Sequence, residues 1–469
     1  MSQKFEDQGG FATSNPPAPV RWISSKVMSW LISQSVVDGR RRRAERARKR
    51  RGEPHRIEYF HQVEDAYSHL AAQLLRPLLE RYDVELVPHL VTVERDANLP
   101  EPELLPKLAR HEAAKLAPYY GLRFAADAGA PGAERVQQAR AILAEVAPSE
   151  FPEAAVAVGD ALWQGSESEL AALAQRWGAA DVNGVARALE QGGERRAAAG
   201  HYSGGMFLHN GEWYWGADRM YLLEERLAAL GARRPGVSGD VCARPEIALG
   251  PLRDDGSLTL EIYPSLRSPY TAVIFDAAVE LVRETGVRSV TRPVLPMVMR
   301  GVPATRQKGV YIFTDAAREA AALGRDFGPV YDPIGDPVRR AYSLWPWACA
   351  QGRGDALLQS FLQRAFYEGV NTGSDKGLRR VVEAAGLPWS EAEPIVGNDD
   401  WEAEIEANRL AMLEMGCWGV PSFRLLDRAG NEVLAVWGQD RLWLVALEIQ
   451  RLLAAGGVDD TKPAASTRA

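Results

Sequence analysis

Gly419-Val420-Pro421-Ser422-Phe423 opens a run from Ser422 to Gly438 (SFRLLDRAGNEVLAVWG) that reads as a strand, a turn and a second strand. A proline entering a strand must stand at its first residue or on an edge, because it has no N–H to give the ladder. In trans, Pro421 is an ordinary strand opening. In cis, it turns the chain and leaves the backbone groups of Val420 to pair with a peptide-like ligand. Upstream, Ser268-Pro269-Tyr270-Thr271 lies between a strand candidate (LTLEIYPS, from Leu258) and a helix over 269–285. Ser268 suits an N-cap and Pro269 the first helical position. A plain helix start explains both residues. The same geometry also favours a thiolate or oxyanion, through unpaired N–H groups and the helix dipole, with Arg267 as a positive neighbour.

Working outward, the order of elements occurs twice. HRIEYFHQV predicts a strand, 66–82 an amphipathic helix and DVELVPHLV a second strand; residues 101–198 are Ala-rich and helical. GGMFLHNGEWYWG is a hairpin with Asn210-Gly211 as its turn, and 217–230 is a closing helix. The second half runs from the Leu258 strand through helix 269–285, the strand SVTRPVLPMVM, a helical stretch 312–416 and the Ser422 hairpin to helix 440–454. Residues correspond as well as pattern: Ala66-Tyr67-Ser68 with Pro269-Tyr270-Thr271, and Trp215-Gly216-Ala217-Asp218-Arg219 with Trp437-Gly438-Gln439-Asp440-Arg441. The expected organisation is a tandem duplication of two α/β domains, 56–232 and 258–456. A linker over 233–257 joins them, an amphipathic and basic segment over 20–55 precedes them, and disordered ends cover 1–19 and 457–469.

SPYT after the first strand, GVPSF before the third and WGQDRL before the last helix together resemble the kappa-class glutathione transferases and the related 2-hydroxychromene-2-carboxylate isomerases. Lys308-Gly-Val-Tyr311-Ile-Phe-Thr-Asp315-Ala-Ala-Arg318-Glu-Ala320 is similar to a further segment of that family. The resemblance implies two thioredoxin-like (DsbA-like) domains, each with a helical insertion. It implies glutathione as cofactor and a small aromatic or conjugated substrate. It places Ser268 as the catalytic serine that hydrogen-bonds the glutathione sulfur, and Val420 as the backbone partner of the cysteinyl part. Pro421 becomes the cis-proline, Asp440 and Arg441 the holders of the γ-glutamyl end, and Lys308 a basic residue of the substrate pocket. Ser265 stands where the family has an Asp, and the loop RGVPATRQ lacks the family's Asn. In the first half, Asp65 replaces the serine and Gly205 the proline. A carboxylate there repels a thiolate, so that half is expected to be catalytically dead.

Composition bounds the alternatives. The chain has 469 residues, 46% apolar and 25% charged, with 55 basic and 62 acidic side chains and a formal charge of −7. That is an ordinary globular mixture of two or three domains and argues against a general nucleic-acid binder. Its three cysteines, Cys242, Cys349 and Cys417, are far apart, which excludes a disulfide scaffold and a CxxC redox pair. A thiol–disulfide oxidoreductase therefore ranks below an isomerase or transferase, and a non-catalytic binding protein on the same fold is the main alternative. Trp345, Trp347 and Trp418 suit either an apolar acceptor site or the core. At the N-terminus, helical periodicity over 20–37 puts Ile23, Val27, Trp30, Leu31 and Gln34 on one face, and 40–51 carries nine basic residues and one Glu. The plain reading is a segment packed on the protein's own surface followed by a solvated basic helix. An amphipathic helix beside a basic run also suits an anionic membrane, and the run alone suits nucleic acid. The basic run follows the apolar stretch, the reverse of a secretory signal, so the expected location is cytoplasmic, peripheral at the membrane if this segment docks there.

Overall fold

The computed structural model describes residues 15–92, 98, 101–125, 127, 129–302 and 305–456. The expected disordered tail 457–469 lies outside them, as do residues 1–14; the expected disordered start 1–19 is corrected at its end, because Ala18 and Pro19 open a helix, where proline's missing N–H costs nothing. The chain divides into two compact units. Among the described residues, one takes 34–244 and 305–311, and the other takes 15–33, 245–302 and 312–456.

In the first of these units, strands β1 (His55–His61), β2 (Val84–Leu90), β3 (Met206–His209) and β4 (Glu212–Trp215) form a sheet in the order β2-β1-β3-β4. β2 runs parallel to β1, while β3 and β4 are antiparallel to their neighbours. Asn210 and Gly211 both have positive φ, 51° and 82°, as a tight hairpin with a right-handed twist requires. The single helix expected over 66–82 is two, Ala66–Gln73 and Leu75–Arg81. Pro77 causes the break: it gives no N–H to the Gln73 carbonyl and its ring crowds that group. Ile57, Tyr59, Phe207, Tyr214 and Leu75 anchor the core, all 0–1% exposed.

In the other unit, β5 (Thr259–Tyr263), β6 (Arg288–Thr291), β7 (Ser422–Leu426) and β8 (Glu432–Trp437) repeat that order, β6-β5-β7-β8, with the same parallel and antiparallel senses. The strand expected along SVTRPVLPMVM stops at Thr291, because Pro293 and Pro296 cannot donate to a ladder, and Met297–Arg300 turns as a short helix. Leu260, Ile262, Phe423, Leu425 and Val436 fill the middle of the core. Inside the sheet the Glu261 carboxylate is held by Arg292 at 2.7 Å and by the Tyr263 hydroxyl at 2.8 Å, so this buried charge is paired.

The helix expected from Val20 to Val37 is interrupted. Helix α1 (Ala18–Ile32) ends at Ser33, and α2 (Gln34–Arg51) begins afresh. Ser33 turns both its N–H and its hydroxyl onto the Trp30 carbonyl, at 3.2 and 2.8 Å, and leaves helical geometry.

Candidate active site at the Ser268 helix

Register brings the motifs together. Ser422, first residue of β7, pairs with Tyr263 at the end of β5, so the loop ahead of β7 meets the helix that follows β5. That helix, Pro269–Thr285, starts at Ser268, whose Oγ accepts the Thr271 N–H at 3.1 Å. The same hydroxyl donates to the Val420 carbonyl at 3.2 Å. The Val420–Pro421 bond is cis. On the other side of the loop, the Gly438 N–H donates to the Pro421 carbonyl at 3.0 Å.

Asp440 and Arg441 follow in the turn Gln439–Arg441, which packs against the Pro269–Thr285 helix. The Arg441 guanidinium lies 3.3 Å from Asp440 Oδ1 and donates to the Asp440 carbonyl at 3.2 Å. Arg441 is 4% exposed at its side chain and Asp440 is 20%, so the carboxylate is the accessible member of the pair. Lys308 lies in the segment 305–311, which belongs to the unit containing β1–β4. There its ammonium donates to the Asn98 carbonyl at 2.8 Å and stands 5.9 Å from the centre of the Tyr202 ring.

Arg267 does not supply the uncompensated positive charge expected of it. It makes a two-pronged pair with Asp332, at 2.8 and 3.1 Å. Burial works against ionisation of Asp332, yet Arg267 holds its carboxyl below the usual range. The field at Ser268 therefore comes from the helix N-terminus rather than from Arg267. Trp345 and Trp418 are 3% and 5% exposed. The first donates to Glu404 at 2.8 Å, and the second packs on Trp437 with ring centres 4.6 Å apart, so both serve packing. Trp347 is half-buried, and Cys417 is fully buried.

Two supports of the site escaped the sequence reading. Tyr270 donates to the buried carboxylate of Asp315 at 2.8 Å, which Arg318 also holds at 2.8 Å. The spacing of Asp315 and Arg318 in their motif was the available signal. Tyr342, which no motif marked, accepts the Leu266 N–H at 3.3 Å and donates to the Val294 carbonyl at 3.1 Å, fixing the loop before Ser268.

The corresponding place in the β1–β4 unit is built otherwise. Asp65 caps the helix Ala66–Gln73, accepting both the N–H and the hydroxyl of Ser68, at 2.8 and 2.7 Å. Burial raises its pKa to about 6 in spite of those bonds. Gly205, at the position of Pro421, has φ +65°. A side-chain carbon there would stand 3.3 Å from the Ser68 hydroxyl and 3.4 Å from the Asp65 carboxylate.

Solved structures similar to parts of this chain include a probable DsbA oxidoreductase from Streptomyces coelicolor, at 23% identity and TM-score 0.33, covering 45% of this chain and 94% of the other. A 2-hydroxychromene-2-carboxylate isomerase is 18% identical with TM-score 0.36, covering 43% and 98%. The cytosolic disulfide reductase DsbM of Pseudomonas aeruginosa is 21% identical with TM-score 0.32, covering 42% and 99%. None of the curated proteins matches the chain. Residues 259–450 match the family model of the DSBA-like thioredoxin domain, and this stretch, which holds the Ser268 helix start and the Pro421 loop, is a DsbA-like thioredoxin domain.

Proposed function

We propose that the Ser268 unit is a glutathione-dependent isomerase or transferase of the 2-hydroxychromene-2-carboxylate isomerase and kappa-class type. Its substrate is a small aromatic or conjugated molecule. In this reading the chain is a tandem duplication whose first copy keeps the fold without the chemistry. One observation carries the proposal: at a helix N-terminus, the Ser268 hydroxyl and the Val420 carbonyl meet at 3.2 Å beside Pro421.

The hydroxyl has a single proton, which now rests on the Val420 carbonyl. In the proposed complex Ser268 turns that proton toward the ligand sulfur. Val420 then accepts the N–H of the cysteinyl residue instead, so each group exchanges one partner for another. The accessible Asp440 carboxylate takes the γ-glutamyl amine, and buried Arg441 keeps Asp440 in place. Lys308 is left out of this set, because its ammonium is taken by the Asn98 carbonyl within the unit of β1–β4. The thiol supplies a nucleophile that adds reversibly to a conjugated substrate. The chain's own task is to keep that sulfur ionised. A helix N-terminus contributes about 0.3–2 kcal/mol and a hydrogen bond to a charged group about 1.5–3. Together they lower a bound thiol by roughly 1.3–3.7 pKa units.

Calorimetric titration with glutathione, and thiolate absorbance against pH, test this in the wild type and in Ser268→Ala. The variant is expected to raise the pKa of the bound thiol by about 1–2 units. Absence of binding, or superimposable titrations, would leave Ser268 as a helix cap in a non-catalytic binding protein.

A further inference from the structure

Helix α1 is mounted with its polar side inward. Arg21 and Ser25 are 6% and 2% exposed. Arg21 donates to the carbonyls of Asp332 and Ile334. Ser25 Oγ accepts the Asp332 N–H at 2.9 Å, and Ser29 Oγ accepts the Val330 N–H at 2.9 Å. These bonds fix the rotation of the helix about its axis. The opposite stripe is apolar and open to solvent: Val20 53%, Ile23 55%, Val27 46% and Trp30 58%; Trp22, also exposed, stands on the flank nearer Ser25 and Lys26. Burial of apolar surface drives packing, so an apolar stripe held outward marks an interaction surface.

Charge selects the occupant. Directly after Ser33, α2 sets Arg42, Arg43, Arg46, Lys49 and Arg50 along one open face, with the Glu45 carboxylate 3.5 Å from the Lys49 ammonium. Residues 40–51 hold nine basic residues and one Glu, a net +8 in a chain of −7, so all other residues sum to −15. Trp22 and Trp30 around Lys26 are the residues of a helix lying in a bilayer interface, where indole prefers the headgroup level. We propose that α1 docks its Val20–Ile23–Val27–Trp30 stripe into the surface of an anionic lipid bilayer, with the basic face of α2 adding attraction to the headgroups. No helix among the described residues is long and apolar enough to cross a membrane, so the contact is peripheral.

The test is flotation of the full chain with phosphatidylcholine vesicles, with and without phosphatidylglycerol, at several salt concentrations. Binding is expected only with the anionic vesicles and is expected to fall as salt rises. Val27→Asp with Trp30→Asp, both at exposed positions, should lower the partition coefficient at least about tenfold. Arg42→Gln, Arg43→Gln and Arg46→Gln together should lower it about a hundredfold, at about fivefold per charge. Val182→Asp, on an 85% exposed residue elsewhere, should change nothing. Failure to float with anionic vesicles, or equal partition of wild type and both variants, overturns the proposal. So does a dimer in light scattering that the Val27–Trp30 variant converts to monomer without any change in partition, because a second copy then covers the stripe.

Discussion

The two sheets share their strand order and much of their fastening, yet differ where chemistry would occur. Tyr67 donates to buried Glu112 at 2.7 Å as Tyr270 donates to buried Asp315 at 2.8 Å. The Gly216 N–H donates to Gly205 at 2.8 Å as the Gly438 N–H donates to Pro421 at 3.0 Å. Arg219 and Arg441 each donate to the carbonyl of the preceding Asp at 3.2 Å. Against that background stand Ser268 and Val420-Pro421 in one unit and Asp65 and Gly205 in the other. Features present in both are explained by folding alone. This includes the bond from the buried arginine to the preceding carbonyl; Asp440 rather than Arg441 is assigned the ligand because its carboxylate is the accessible one of the two. The difference that bears on the proposed function lies at the helix cap and the loop facing it.

The comparison can be broken most forcefully at Gly205. Proline there cannot adopt φ +65° and loses the Gly205 N–H bond to the Phe60 carbonyl at 2.9 Å. Gly205→Pro should cost about 3–5 kcal/mol in denaturant unfolding. A tolerated proline would mean that the two loops are interchangeable. Next is Asp65, whose pKa rises from 3.8 to about 6 on folding. The unfolded chain releases this proton at lower pH than the folded one, so the group's contribution falls as pH rises from about 4 to about 6 and is constant above. Asp65→Asn keeps an oxygen for the cap and should stabilise the protein by up to about 3 kcal/mol at pH 7, with the gain fading toward pH 4. Stability curves of both proteins across that range check the sign, and a gain that persists at pH 4 refutes it. Tyr67→Phe and Tyr270→Phe each strip a hydrogen bond from a buried carboxylate. Each should cost about 1–3 kcal/mol, similarly in the two units. Unequal losses would show that one of the two bonds serves something besides folding. Smallest is Ser268→Ala, expected to cost about 1 kcal/mol of helix capping. Its main effect should fall on glutathione rather than on the melting curve.

Local signals carried much of this into the sequence. Asn210-Gly211 marked its turn and Ser268-Pro269 marked its helix start, because each depends on neighbours along the chain. The contacts that were not legible join distant residues. Arg267 meets Asp332 from 65 positions away, and Asp332 meets Ser25 across 307. Periodicity over 20–37 located an apolar stripe on α1 but not its direction. The segment does pack on the protein's own surface, as its plain reading had it, but through Arg21, Ser25 and Ser29. Three hydrophilic side chains decide that, by satisfying backbone groups of residues 330–334.

The same fastening sets how the protein can be divided. The unit that holds Ser268 is gathered from separate stretches of chain, and its first stretch, ending at Ser33, precedes the whole of the unit with β1–β4. A fragment cut at Pro245 would contain Ser268, Val420, Pro421, Asp440 and Arg441, and would span the entire 259–450 match. It would lack α1, leaving the Val330 and Asp332 N–H groups without Ser29 and Ser25. Asp332, which grips the residue next to Ser268, would then sit in a loosened loop. The borders of the recognisable domain are therefore not borders along which the gene can be trimmed, and an inactive fragment would say nothing about the chemistry of the intact chain.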